Sequence, residues 1–358
     1  MSAIEQLSQG DLDLLTELVA IPSPTGRVGE AASWLVGQLR DRGLRADVDS
    51  AGNVLGVVEP SHLDPRDGEV YLLGHLDTVA GFWSPRLEGG RLSGRGASDA
   101  KGPLAAFLVA ALRARDSGRL RRRVRILAAA DEEGESAGAR LLAATLPPPA
   151  FLVVGEPSGS GRVVLGYRGR LRCRLELSCP EQHSSRPDPT AAELGLAAWG
   201  AIRDEVAAIN GDAVGFDALD VHLLAIDSSS DGLRDTTRLG LGFRLPPSVA
   251  REELVARVRG LDLGGRLEVA GSEEAALVPR VGILPTAFAR AILAEGEKVV
   301  WQRRLATSDL NVVLPAWRCA AVVYGPGDSA LDHTPAESIA LVDYARGIRV
   351  LAQVLESL

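Results

Sequence analysis

The stretch EVYLLGHLDTV, residues 69–79, constrains the fold more than any other part of the chain. It is apolar on both faces until it reaches His75 and Asp77. A strand of that kind needs cover on both sides, which a parallel sheet with crossover helices supplies. Its neighbours fit that arrangement. Residues 11–20 and 28–42 carry the apolar spacing of helices, the second ending at Gly43. RADVD and VLGVVEP read as strands joined by the turn signal SAGN. A helix over 102–115, a strand over 123–130, a helix over 137–145 and the strand FLVVGEP continue the alternation.

The texture changes at Arg168. GRLRCRLELSC alternates like a half-exposed antiparallel strand, with Arg172, Arg174 and Glu176 on one face. A helix over 189–208, strands over 219–227 and 236–245, a helix over 250–259 and a strand over 265–270 complete a β-α-β-β-α-β insert. Near Val281 the first pattern resumes with a helix over 285–298, the strand CAAVVYG and a helix over 336–356. The expected fold class is α/β. Residues 1–167 and 281–358 form a mixed sheet between helices, and an α+β domain is inserted over 168–280.

Bulk properties narrow the function classes. With 358 residues, 46% of them hydrophobic, the chain can bury a sizeable core in more than one domain. A net charge of -8 argues against a general nucleic-acid binder. No uninterrupted apolar run approaches the ~20 residues of a membrane span. MSAIEQLSQGDLDLL has no basic-then-apolar leader pattern. Cys173, Cys179 and Cys319 are scattered, without a C-x-x-C pair, and fit reduced thiols. The expectation is a cytoplasmic protein without nucleic-acid or membrane partners.

The polar residues that interrupt the apolar segments are His75, Asp77, Asp99, Glu132, Glu133, Glu156 and His333. All but the last follow or end strand-like runs in the alternating region, where ligand sites of such sheets gather. Carboxylates and two imidazoles converging there offer the oxygen and nitrogen donors that suit zinc, cobalt or manganese. His75 and Asp77, two apart, share a face if the strand continues, so Asp77 can orient the imidazole. Glu132 and Glu133 are adjacent and point apart, which leaves one to ligate and the other to act as a general base. DEEGES also contains GESAG, 134–138, a match to the nucleophile elbow of serine hydrolases. The acids before it and the missing HGGG-type loop weigh against that rival, and Ser136 is expected to be exposed in the first turn of a helix.

GHLDTV (74–79), GRGASDAKG (94–102), DEEGE (131–135), VVGEPSG (153–159) and GPGDSALDHTPAE (325–337) together resemble the motifs of the co-catalytic zinc metallopeptidases. That family includes carboxypeptidase G, acetylornithine deacetylase and succinyl-diaminopimelate desuccinylase. The resemblance spans nearly the whole chain. It implies two zinc ions, replaceable by cobalt: Asp99 bridges them, His75 and Glu156 complete one site, and Glu133 and His333 the other. It makes Glu132 the general base and Asp77 the support of His75. The inserted domain becomes a lid and homodimerisation module, with His183 in CPEQHSSRP stabilising the oxyanion across the interface. Gln182 stands there where the family often has Gly. Arg244 and Thr307 match positions that bind the substrate's carboxylate or backbone.

LEGGRLSGRGASDAKGPLAAFL, VLGYRGRL and TSDLNVVLPAW look most like the branch acting on a small acidic amino-group carrier protein. There the amide between the carrier's C-terminal glutamate γ-carboxyl and lysine, or ornithine, is hydrolysed in lysine biosynthesis. A small-molecule deacylase, for example of acetylornithine, and a non-catalytic carrier-binding protein remain the rival readings.

Overall fold

A computed structural model describes residues 7–64, 67–183 and 185–358. The chain divides into two compact units. The first runs through Gly166 and resumes over Val278–Gln302 and Ser308–Leu358; the second comprises Tyr167–Leu277 and Arg303–Thr307.

In chain order the elements are α1 (Gln9–Ala20), α2 (Gly29–Asp41), β1 (Arg45–Val48), β2 (Val54–Val58), β3 (Val70–His75), β4 (Arg86–Glu88), β5 (Arg91–Ser93), α3 (Lys101–Asp116), β6 (Val124–Ala129), α4 (Ala137–Thr145), β7 (Phe151–Val154) and β8 (Arg162–Tyr167). Then come β9 (Gly169–Pro180), α5 (Ala191–Asn210), β10 (Asp220–Ser230), β11 (Arg234–Leu245), α6 (Arg251–Gly260), β12 (Gly265–Glu273) and β13 (Ala276–Leu277). The chain closes with α7 (Ile283–Ala294), β14 (Val300–Arg304), α8 (Asp309–Trp317), β15 (Ala320–Val323), β16 (Ser338–Ala340) and α9 (Leu341–Ser357).

The first unit is built on a mixed sheet with strand order β1-β2-β6-β3-β7-β15-β8. β6, β3, β7 and β15 are mutually parallel, and β2 and β8 join them antiparallel. Every residue of β3 and β7 is buried, as strands covered on both faces must be. The cover comes from α3, itself almost wholly buried, which packs on β3 and α9, and from α7 on β15 and α2 on β2. The common direction of the four central strands has one consequence for function. The ends of β3, β6, β7 and β15 open on the same edge, and the loops leaving them share it.

The second unit is an antiparallel sheet of order β10-β11-β9-β12. Its β9-α5-β10-β11-α6-β12 sequence is the one that the alternation along 168–270 predicts. Leu171, Cys173, Leu175 and Leu177 point into its core with Leu239, Leu241, Phe243, Ile202 and Leu254. Arg172, Arg174 and Glu176, at the intervening positions, are exposed. Arg168, at the start of the same run, is buried: it pairs with Asp220 at 2.7 Å and donates to the Ala218 carbonyl at 2.9 Å.

Two further local features stand out. TSDLNVVLPAW, to which the sequence assigns no element, forms helix α8 with Pro315 inside it. A capping box over Ser308 and Asn311 starts this helix, and burial of Leu310, Val313 and Trp317 outweighs the proline. The last helix begins at Leu341, because Ser338, Ile339 and Ala340 pair with Ser93, Leu92 and Arg91 of β5. No helix among the described residues is long and apolar enough to cross a membrane.

Candidate active site

Seven of the residues singled out in the sequence lie at the shared strand edge of the first unit, His75 at the end of β3 and the others on the loops. β3 ends with His75 itself, so Asp77 is past the strand rather than on its face. The two are still joined: the His75 Nδ1 lies 2.9 Å from the Asp77 carbonyl oxygen, while the Asp77 carboxylate stands 3.8 Å away. That carboxylate instead accepts the Glu132 and Glu133 amides at 3.0 and 3.2 Å and the Thr25 hydroxyl at 2.9 Å. Asp77 therefore fixes the imidazole through its backbone and the acidic loop through its side chain.

Donor atoms of His75, Asp99 and Glu156 lie within 4.8 Å of one another, and so do those of Asp99, Glu133 and His333. Asp99 joins the two groups. Its Oδ1 is 3.1 Å from His75 Nε2, and its Oδ2 is 3.1 Å from His333 Nε2, which also meets Glu133 Oε1 at 2.9 Å. Glu337, four residues beyond His333, holds Asp99 from behind: it accepts the Ser98 and Asp99 amides, each at 3.1 Å, and pairs with Arg95 at 2.6 Å.

Burial drives the electrostatics. It pushes the Glu132 and Glu156 carboxyls well above the usual carboxylate range, and the surrounding acids add to the effect. Burial also favours a neutral His75, but the hydrogen bond with Asp99 and the charges of Glu132 and Glu156 outweigh it and hold the imidazole well above its ordinary value. Asp99 and Glu133 lift His333 to about 10. Burial opposes the ionisation of Asp99, yet its two imidazole partners keep its carboxyl low. The acids Asp77, Asp99, Glu132, Glu133 and Glu156, buried or half-buried, outnumber the imidazoles of His75 and His333. Two triads of carboxylate oxygen and imidazole nitrogen, sharing a two-oxygen bridge, fit a divalent cation each.

DEEGES folds into the loop from β6 to α4. Asp131 turns it in the left-handed region at φ 67°. The glycines of GESAG answer to contacts, not to an elbow. A Cβ on Gly134 would stand 2.4 Å from Asp131 Oδ1, and one on Gly138 would stand 2.2 Å from Asn53 Oδ1. Ser136 is not exposed, contrary to expectation. It is the residue before α4, left-handed at φ 54° and 6% accessible.

His183, Arg244 and Thr307 belong to the second unit. His183 is exposed, with Nδ1 2.9 Å from the Ser185 hydroxyl. Arg244 donates to the Thr307 hydroxyl at 3.2 Å, so these two are brought together. Burial and the nearby Arg170, Arg168 and Arg172 all work against its charge, and a carboxylate ligand would relieve that repulsion.

Three residues at the site went unread in the sequence. Thr25 lies in none of the motifs that carry the chemistry. Asp309 lies two residues past Thr307 in TSDLN, where a Ser-x-x-Asn capping signal could have revealed a helix start. Glu337 was the end of a motif with no role attached.

Residues 71–357 match the family described as Peptidase family M20/M25/M40. The [LysW]-lysine hydrolase of Deinococcus radiodurans is 35% identical over 98% of both chains. A putative [LysW]-lysine/[LysW]-ornithine hydrolase of Thermococcus kodakarensis is 34% identical over 98% of this chain and 93% of its own. Among solved structures, an M20 family metallo-carboxypeptidase, Sso-CP2 of Sulfolobus solfataricus, has the same fold, with a TM-score of 0.79 at 19% identity over 98% of this chain and 99% of that one. So does a dinuclear metal binding M20 peptidase of Bacillus subtilis, at 0.70 and 16%, covering 98% of each. The chain is an enzyme, a hydrolase with a divalent-metal cofactor, and it belongs to peptidase family M20/M25/M40.

Proposed function

We propose that the protein hydrolyses the amide linking lysine, or ornithine, to the C-terminal glutamate γ-carboxyl of a small acidic amino-group carrier protein. The observation that supports this reading is the 35% identity, end to end, with a [LysW]-lysine hydrolase. The reaction places the enzyme in the cytoplasm, in amino-acid biosynthesis.

His75, Asp99 and Glu156 would hold one ion and Asp99, Glu133 and His333 the other, with zinc the expected metal and cobalt a substitute. Bound there, the ions supply Lewis acidity toward water and the amide carbonyl. The chain's own residues manage the protons. Glu132 takes a proton from the attacking water as the new C–O bond forms and gives it to the amine nitrogen as the C–N bond breaks. Burial of its carboxyl suits it to hold that proton between the two steps. Asp77, through the Glu132 amide, keeps the base in place. In the second unit Arg244, braced by Thr307, grips a substrate carboxylate. His183 donates to the carbonyl oxygen as it turns negative, in a homodimer formed through this unit.

The test is the intact mass of a lysine-loaded carrier after incubation with enzyme and zinc. Loss of one lysine residue, blocked by a chelator, is the expected result. An unchanged carrier, with N-acetylornithine cleaved by the same preparation, refutes the carrier substrate.

A further inference from the structure

The segment between α1 and α2 runs beside the exit of β3. Pro24 bridges to Thr78 in parallel register, the Thr78 amide donates to the Ser23 carbonyl at 2.9 Å, and the Thr25 amide donates to the Thr78 carbonyl at 3.1 Å. The Ser23 hydroxyl adds a bond to the Leu76 carbonyl at 2.8 Å. These contacts fix residues 23–25 without help from the Thr25 side chain. Its hydroxyl is used elsewhere: it donates to Asp77 Oδ2 at 2.9 Å. Its methyl faces the acidic loop, 3.1 Å from where a Cβ on Gly134 would stand.

Asp77 is 0% exposed, so its carboxylate depends on the hydrogen bonds it accepts. Oδ1 takes the Glu132 amide at 3.0 Å, and Oδ2 is shared by the Glu133 amide at 3.2 Å and the Thr25 hydroxyl. The two amides belong to the loop that is being held. Thr25 comes from a different part of the chain, tied to the exit of β3, and its bond sets the rotation of the carboxylate. A competing partner is close by. His75 Nδ1 lies 3.8 Å from Oδ1 and 2.9 Å from the Asp77 carbonyl oxygen. A carboxylate turned toward that imidazole would take Oδ1 away from the Glu132 amide.

We propose that Thr25 is a positioning residue for the hydrolysis: its hydroxyl holds the Asp77 carboxylate in the rotation that grips the Glu132 and Glu133 amides, and so fixes where Glu132 presents its own carboxylate. This role rests on the reading of Glu132 as the base. It separates the two duties of Asp77. The backbone carbonyl meets His75, and Thr25 keeps the side chain on the acidic loop.

The test compares Thr25→Val, which keeps the methyl and the shape but loses the hydroxyl, with Thr25→Ser, which keeps the hydroxyl. Both are made in the full-length, zinc-loaded enzyme, with the lysine-loaded carrier as substrate. Thr25→Val should lower kcat about tenfold, since small misplacements of reacting groups cost up to about a hundredfold. KM and zinc bound per chain should hold. Thr25→Ser should recover most of kcat. Exchange of the Glu132 and Glu133 amides should quicken in Thr25→Val and not in Thr25→Ser. Amide exchange needs no substrate, so it reads the clamp even if the carrier is the wrong one. In an Asp77→Ala background, Thr25→Val should slow the residual turnover no further, because both changes remove one interaction. Parental kcat in Thr25→Val, a Thr25→Ser enzyme as slow as Thr25→Val, slowing explained by lost zinc, or effects that multiply in the double variant would each overturn the proposal. A fully active Glu132→Gln would instead remove the reading beneath it, whatever the Thr25 variants do.

Discussion

Consider Glu337→Ala. The Glu337 carboxylate is fully buried; it accepts two backbone amides at 3.1 Å and faces Arg95 at 2.6 Å. Removing it leaves a buried guanidinium without its counter-charge, a change that costs about 3–5 kcal/mol. Arg95 keeps the Gly81 carbonyl at 3.3 Å and the Trp83 ring at 5.0 Å, which favours the lower end. At roughly 2–4 °C per kcal/mol for a unit of this size, the melting temperature should fall by about 10 °C. Glu337→Gln, which retains one acceptor oxygen, should fall by about half as much. The melts are best recorded in chelator, so that ligand binding does not add to stability. A second effect separates this role from general packing. One of the two amides is that of Asp99, so loosening it should weaken metal binding by about tenfold to a hundredfold. A Glu337→Ala protein that melts within about 2 °C of the parent and binds zinc equally well would refute the reasoning.

Other outcomes follow from the same geometry. Asp99→Ala should lose metal from both triads at once, measured as ions per chain, because each of its oxygens faces a different imidazole; one ion retained at full occupancy would contradict the bridge. His183→Ala should reduce kcat while metal content and KM stay unchanged, and parental turnover would return this histidine to the role of an exposed loop residue. Glu69→Gln should be less stable than the parent at neutral pH. Burial raises the Glu69 carboxyl, but hydrogen bonds from Arg125 and Arg123 outweigh it and hold it below its ordinary value. A depressed folded-state value contributes stability above the unfolded value of about 4.3 and loses it as pH falls through the folded one. The two urea midpoints should therefore converge under acid, and a constant gap from pH 7 down to pH 3 would disprove the linkage.

Most of the fold and the triads could be read in advance because each rests on local chemistry. β3 is apolar on both faces until His75, so the strand, its burial and the first candidate ligand come from one stretch of eleven residues. β9 alternates because one face meets α5 and α6 while the other faces water. What escaped depends on long-range contacts. Ser136 is buried where the start of α4 packs against α8, which lies far along the chain. The use of the Asp77 carboxylate depends on the strand ending two residues early, which turns it toward the Glu132 and Glu133 amides. α8 tolerates Pro315 because Leu310, Val313 and Trp317 around it are buried. Periodicity reports which face of an element is dry, but not which polar group will arrive from another loop.

The central claim is that Glu132 is the base beside a two-ion site that it does not hold. Zinc stoichiometry and turnover of Glu132→Gln on a lysine-loaded carrier test both halves together. The account predicts two ions per chain, as in the parent, with kcat lower by about 10²–10⁴-fold. Parental turnover, or an enzyme slowed because its metal is gone, would contradict it.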